Sequence, residues 1–154
     1  MRKLRIYIDT SVIGGCFDKE FAEWSNVLFD EFMAGKKIAV ISDLTISELE
    51  LAPDKVKNKI DEIPASNLIK IDINQEIISL ANKYIEYKAV SKKFIDDATH
   101  IAAASLNNVN ILVSWNFKHI VNYNRIKLYN SINMMMGYPL IEVRTPREVI
   151  DYEH

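Results

Sequence analysis

Apolar and polar positions follow two different periods along the chain, and the way those periods take turns predicts its architecture. Five short runs of branched and aromatic residues read as strands: Arg5 to Ile8, Lys37 to Ile41, Leu68 to Ile71, Asn110 to Ser114 and Pro139 to Val143. Helical spacing fills the gaps. Phe21, Trp24, Leu28 and Phe32 share one face of a helix predicted from Phe17 to Ala34, and Gly35 stands where it would stop. Ser42-Asp43 opens a helix running to Leu51 with Pro53 beyond, and Asp54 to Ile63 reads as a shorter one. Asn74 to Tyr87 turns Ile77, Ile78, Ala81, Tyr84 and Ile85 inward, and Ser91 to Leu106 carries the small residues Ala102 to Ala104, which allow close approach to a sheet. A further helical stretch ends near Gly137, and Thr145-Pro146-Arg147-Glu148 has the capping box and early proline of a terminal helix. Strand and helix in alternation predict an α/β fold whose five-stranded sheet is mainly parallel, with helices on both faces. No linker or repeat interrupts it, so residues 1–154 are expected to form a single domain.

Such sheets bind ligands beyond the carboxyl ends of their strands, which makes the polar residues found there the candidates for chemistry. Asp9 ends the first strand, with Thr10 and Ser11 behind it. Glu48 sits in the helix after the second strand, and Asn116 follows the fourth. Asp96 and Asp97 begin the helix that feeds the fourth strand, so its amino end lies at the same rim. Each has a plainer explanation. Asp9 or Ser11 suits a helix cap, Glu48 suits a capping box with Thr45, and Asp96 and Asp97 suit the positive end of a helix. Spacing separates the last two: Asp97 borders the packed stripe of Ile101, Ala104 and Ser105, whereas Asp96 shares a more open face with His100.

Clustered carboxylates repel unless a cation lies among them, and an all-oxygen set suits Mg²⁺ or Mn²⁺ rather than zinc. Ions held this way activate water and steady in-line attack on a phosphodiester. Competing chemistries lack their residues. There is no glycine-rich dinucleotide fingerprint, no Walker loop and no nucleophile elbow, and a phosphoaspartate-forming phosphatase would need an acid where Ser11 stands.

The net charge of −2 leaves any grip on nucleic acid to a local basic patch or to metal ions. Lys92, Lys93, Lys118, His119 and Arg125 flank the expected rim and are candidates to meet phosphates, while Thr10 and Ser114 are candidates to hold Asp9 or a metal-bound water. The lone Cys16 has no disulfide partner and no histidine close in sequence, so it reads as structural. Without a leader pattern or a bilayer-length apolar run, the expectation is a soluble cytoplasmic protein with no membrane contact.

Taken together, Ile8-Asp9-Thr10-Ser11-Val12, Ser47-Glu48, Asp97-Ala98-Thr99-His100-Ile101-Ala102, Leu112-Val113-Ser114-Trp115-Asn116 and Arg144-Thr145-Pro146-Arg147-Glu148 resemble, in order and spacing, the PIN-domain family, in particular the VapC-like toxins of prokaryotic type II toxin-antitoxin pairs. The resemblance implies a three-layer α/β/α fold and a Mg²⁺- or Mn²⁺-dependent endoribonuclease. It implies metal coordination by Asp9, Glu48 and Asp97, with Asp96 as a flanking ligand and Asn116 orienting water or substrate. A cognate antitoxin and a homodimer are implied as partners beside the RNA substrate. Asn116 departs from the family, most of whose members carry a fourth acid there, and the departure weakens a second cation site more than the first. The competing expectation is a PIN-like module that has lost its chemistry and binds protein or RNA.

Overall fold

The computed structural model describes residues 2–152. Five parallel strands form one sheet in the order β3-β2-β1-β4-β5: β1 (Arg5–Ile8), β2 (Ile38–Ser42), β3 (Leu68–Ile71), β4 (Ile111–Val113) and β5 (Glu142–Arg144). Successive strand residues face opposite sides of a sheet, and both sides here are covered, so the central strands are apolar throughout. Tyr7, Val40, Leu112 and Val143 face one layer, made by α5 (Gln75–Glu86), α6 (Ile95–Leu106) and α7 (Tyr123–Met135). Ile6, Ile8, Ala39, Ile41 and Val113 face the other, made by α1 (Thr10–Gly15), α2 (Ala22–Met33), α3 (Asp43–Leu49), α4 (Asp54–Lys59) and α8 (Pro146–Val149). This is the expected three-layer α/β/α arrangement.

Two departures from the sequence reading bear on the site. The helix expected from Phe17 to Ala34 begins only at Ala22, after a turn through 16–21, and a separate short helix that the pattern does not mark, α1, starts directly after Asp9. Asp9 is the reason, since its carboxylate accepts from the Val12 amide at 3.3 Å and caps α1. The second departure is at α3. Its capping box joins Ser42 to Thr45, not Thr45 to Glu48, which leaves the Glu48 carboxylate free for other partners. On α5, Leu80 rather than Ile78 completes the buried stripe, and Ile78 is 41% exposed.

Register then aligns the rim. Ile8 pairs with Val113, so the residues that follow them, Asp9 and Ser114, leave the sheet side by side. Among the described residues, no helix is long and apolar enough to cross a membrane.

Candidate active site

Asp9 lies at the centre of this rim and is buried. Ser11 Oγ donates to its Oδ1 at 2.6 Å and Ser114 Oγ to its Oδ2 at 2.6 Å. Those hydroxyls in turn accept from the chain leaving β4: the Trp115 amide reaches Ser11 Oγ at 2.9 Å, and the Asn116 amide reaches Ser114 Oγ at 2.9 Å. One carboxylate thereby fixes the start of α1 and the exit of β4. Burial pushes its pKa up, against the opposing pull of His100 and of the Ser11, Ser114 and Val12 donors.

Glu48 projects from α3 to the same rim. Its Oε1 accepts from Thr10 Oγ1 at 2.8 Å and lies 2.7 Å from His100 Nε2. Burial acts to raise this carboxyl, but the hydrogen bond and charge of His100 outweigh it and hold the pKa below the usual range. The Thr10 candidate thus supports Glu48, while Ser114 supports Asp9.

His100 is the residue the sequence reading misplaced. It was expected on an open face with Asp96; it is 2% exposed, and only Asp96 is out in solvent. The face of α6 that looks polar in sequence packs on the rim, where His100 meets Tyr7 from the middle of β1: Nδ1 to the Tyr7 hydroxyl is 2.6 Å, and that hydroxyl lies 2.8 Å from Ser42 Oγ. Burial opposes an imidazolium here, yet Tyr7, Glu48 and Asp9 together lift its pKa to about 10. A buried tyrosine in a strand and a histidine in the same chain were the available signals, because each needs a polar partner inside the fold.

Asp97, from the first turn of α6, is half-buried. Its carboxyl rises to about 6, first through burial and then through repulsion by Asp9 and Glu48, while His100 and the Asn116 side chain pull the other way. Asp97 therefore senses both other acids across the rim. The three acids do not form a closed cage: among the described residues, no three Asp, Glu, His or Cys side chains are gathered tightly enough to enclose an ion. Asn116 turns its Oδ1 inward to the amides of Lys118 (3.2 Å) and His119 (3.0 Å).

Lys92 and Lys118 are exposed. His119 is not presented to solvent: it is 6% exposed and stacks on Phe94 at 3.7 Å between ring centroids, and its Nδ1 has no hydrogen-bond partner. Packing is its role here. Cys16 is buried, and its thiol is pushed up to about 11, as an unreactive structural cysteine would be.

The donor set fits a hard divalent ion. Asp9, Glu48 and Asp97 come to one strand-end rim, and the half-buried Asp97 carboxyl is raised mainly by burial, with repulsion by Asp9 and Glu48 adding to it; such oxygens gain from a cation.

No protein-family profile matches the chain, and no curated protein does. Solved structures share its fold. VapC20 of Mycobacterium tuberculosis, a sarcin-ricin loop cleaving toxin, superposes with a TM-score of 0.58 at 11% identity, covering 74% of this chain and 92% of its own. The FitAcB structure from Neisseria gonorrhoeae gives 0.56 at 15% identity, over 94% and 99% of the two chains. VapBC2 of Rickettsia felis, bound to a DNA fragment from its promoter, gives 0.56 at 17% identity, over 92% and 98%.

Proposed function

We propose that this chain, which has the fold of the VapC-like PIN-domain toxins, is a divalent-metal-dependent endoribonuclease and the toxin of a toxin-antitoxin pair. The observation that carries the reading is electrostatic. Asp9, Glu48 and Asp97 come from three separate elements, and the Asp97 carboxyl, raised to about 6 first by burial, is pushed up further by the charges of Asp9 and Glu48. A fold alone would not require that convergence.

Asp9 and Asp97 would hold Mg²⁺ or Mn²⁺, with Glu48 as a further ligand directly or through water; when bound, the ion would lower the pKa of a water and stabilise charge on the phosphate. The chain supplies the rest. Ser11 and Ser114 keep the Asp9 carboxylate from rotating, and Thr10 with His100 does the same for Glu48. Asn116, two residues beyond the Ser114–Asp9 contact, orients water or substrate with its amide, and exposed Asp96 adds negative charge at the edge. Lys92 and Lys118 offer phosphates their ammonium groups. A small antitoxin protein is the partner this reading expects, by likeness to FitAcB and VapBC2, and the resemblance to the family adds a second copy of the chain.

Cleavage of single-stranded RNA with added Mn²⁺, compared between the wild type and Asp9→Asn, tests the proposal. Cleavage that needs Mn²⁺ and falls by at least about 100-fold in the variant is expected. The absence of a closed cage and the neutral Asn116 favour one alternative, a module that binds RNA without cutting it; tight RNA binding with no cleavage under either ion would establish that instead.

A further inference from the structure

Beside the carboxylate rim lies an open cleft of about 330 Å³ whose walls are mainly flat, Phe21, Trp24, Trp115, Phe117 and Arg147, with Glu20 and Thr145 completing the lining. Its base is built. Phe21 and Trp115 stack at 4.2 Å with 14° between their planes, and the Trp115 indole N–H donates to Ser25 Oγ at 2.9 Å. Gly15 permits this, because a Cβ there would fall 2.7 Å from that indole nitrogen. The rim of the cleft is not built in. Phe117 is 50% exposed, tilted against both Phe21 and Trp115 at 6.2 Å, and Arg147 lies 4.9 Å over Trp24 without an ion pair among the described residues.

We propose that this cleft is a stacking subsite for a nucleobase of single-stranded RNA, with Phe117 as its contact residue and Arg147 covering the opposite wall. The choice of RNA rests on the nuclease reading above. Three observations select a base over an apolar peptide. First, the cleft adjoins the rim through the chain: the Trp115 amide bonds Ser11, which bonds Asp9, and Phe117 follows Asn116 directly. Second, its apolar lining is wholly aromatic. The cleft between α3, α4 and β3 is instead walled by Ile41, Ile46, Leu49, Ile60 and Leu68, the lining an apolar peptide would want. Third, Arg147 brings a planar cation that stacks on bases, and its charge is set against the single carboxylate of Glu20 in the lining. Aromatic stacking accepts any base, so the subsite positions the strand without reading its sequence.

The chain has only two tryptophans, and both line this cleft, so intrinsic tryptophan emission reports on it alone. Wild-type protein in EDTA, where cleavage is stopped, is titrated with a short single-stranded RNA and with the same strand made abasic. Saturable quenching by the first and not the second is expected. Phe117→Ala should weaken binding about tenfold and raise the KM for cleavage while sparing kcat, and Phe117→Tyr should restore both. Equal quenching by the abasic strand, or unchanged affinity in a folded Phe117→Ala protein, overturns the proposal, as does an absence of quenching by RNA, which would leave the cleft to a protein ligand. Base-dependent quenching in a protein that cuts no RNA under Mn²⁺ would sink the nuclease reading and leave the subsite standing.

Discussion

His100 Nε2 lies 2.7 Å from Glu48 Oε1, and both residues sit at the rim where Asp9 ends its strand. The contact makes the imidazole an internal counter-charge for an acidic site. With its pKa lifted to about 10 by Tyr7, Glu48 and Asp9 against the cost of burial, His100 is an imidazolium across the neutral range and donates from both nitrogens, to Glu48 and to the Tyr7 hydroxyl. The folded pKa exceeds the unfolded one, so this stabilisation is complete below about pH 6.5 and is lost as pH rises through about 10. Glu48, whose pKa is lowered, loses its share as pH falls below the usual carboxylate range.

His100→Gln tests that account. Removing the buried cation leaves Glu48 with Thr10 alone and should cost about 2 to 4 kcal/mol near neutral pH. Urea denaturation at about pH 7 and again above about pH 10 measures it, and the difference between variant and wild type should shrink at the higher pH as the wild type loses its own proton. A difference that stays constant with pH would mean that His100 acts only by packing.

Asp97 carries the opposite sign. Its carboxyl binds a proton more tightly in the folded state, at about 6 against an ordinary 3.8, so folding stability falls as pH rises between those values and stays reduced above them. Asp97→Asn should therefore raise metal-free stability by roughly 2 kcal/mol near pH 7.5 and change little near pH 4. Thermal melts across that range in EDTA read it directly. The variant should also lose the Mn²⁺-dependent rise in Tm that a ligand bound only by the folded state produces. A metal-free variant less stable than wild type at neutral pH contradicts the electrostatic picture.

The strands, their parallel order and most helices were legible because each has a strong local period: Ile6 to Ile8 and Ile38 to Ile41 are apolar on both faces, and Asn74 opens a well-marked amphipathic helix. Asp9, Glu48 and Asp97 were legible from topology, which sends strand ends and helix starts to one rim. What local pattern could not supply was how the rim is wired. The Phe17 to Ala34 stretch has helical spacing throughout, but the helix starts only at Ala22, and α1 before it rests on a tertiary fact, the clamping of its start and of the β4 exit onto Asp9 through Ser11 and Ser114. His100 was misread for a related reason. A helix face is judged open when its residues are polar, and here that face is buried because Tyr7 and Glu48 satisfy it.

Asn116→Asp probes the missing fourth acid. The present side chain lowers the pKa of Asp97 while its Oδ1 holds the turn to Lys118 and His119. An aspartate keeps the acceptor but adds a charge beside Asp97, so the Asp97 carboxyl should rise further and metal-free stability should drop by about 1 kcal/mol. Divalent affinity should move the other way, with tighter Mn²⁺ binding by calorimetry and more cleavage at limiting Mn²⁺. An unchanged Mn²⁺ affinity would place Asn116 outside the reach of the ion.

Lys92 and Lys118 are exposed cations, and neither forms an ion pair among the described residues. If each neutralises one RNA phosphate, the pair releases counterions on binding, and log affinity falls linearly with log salt by about 0.7 per contact on a single strand. The double variant Lys92→Gln/Lys118→Gln should therefore reduce the magnitude of that slope by about 1.4. Lys19→Gln/Lys36→Gln removes the same charge from exposed positions on the chain flanking α2 and should leave the slope nearly intact. Anisotropy titrations over a range of salt separate the two, because a general field weakened by two charges would lower both slopes alike, whereas phosphate contacts at the rim lower only the first. Lys92 and Lys118 set how tightly the strand is held and not which bases it carries, so both pairs of variants should keep the base preference of the wild type, if any, unchanged.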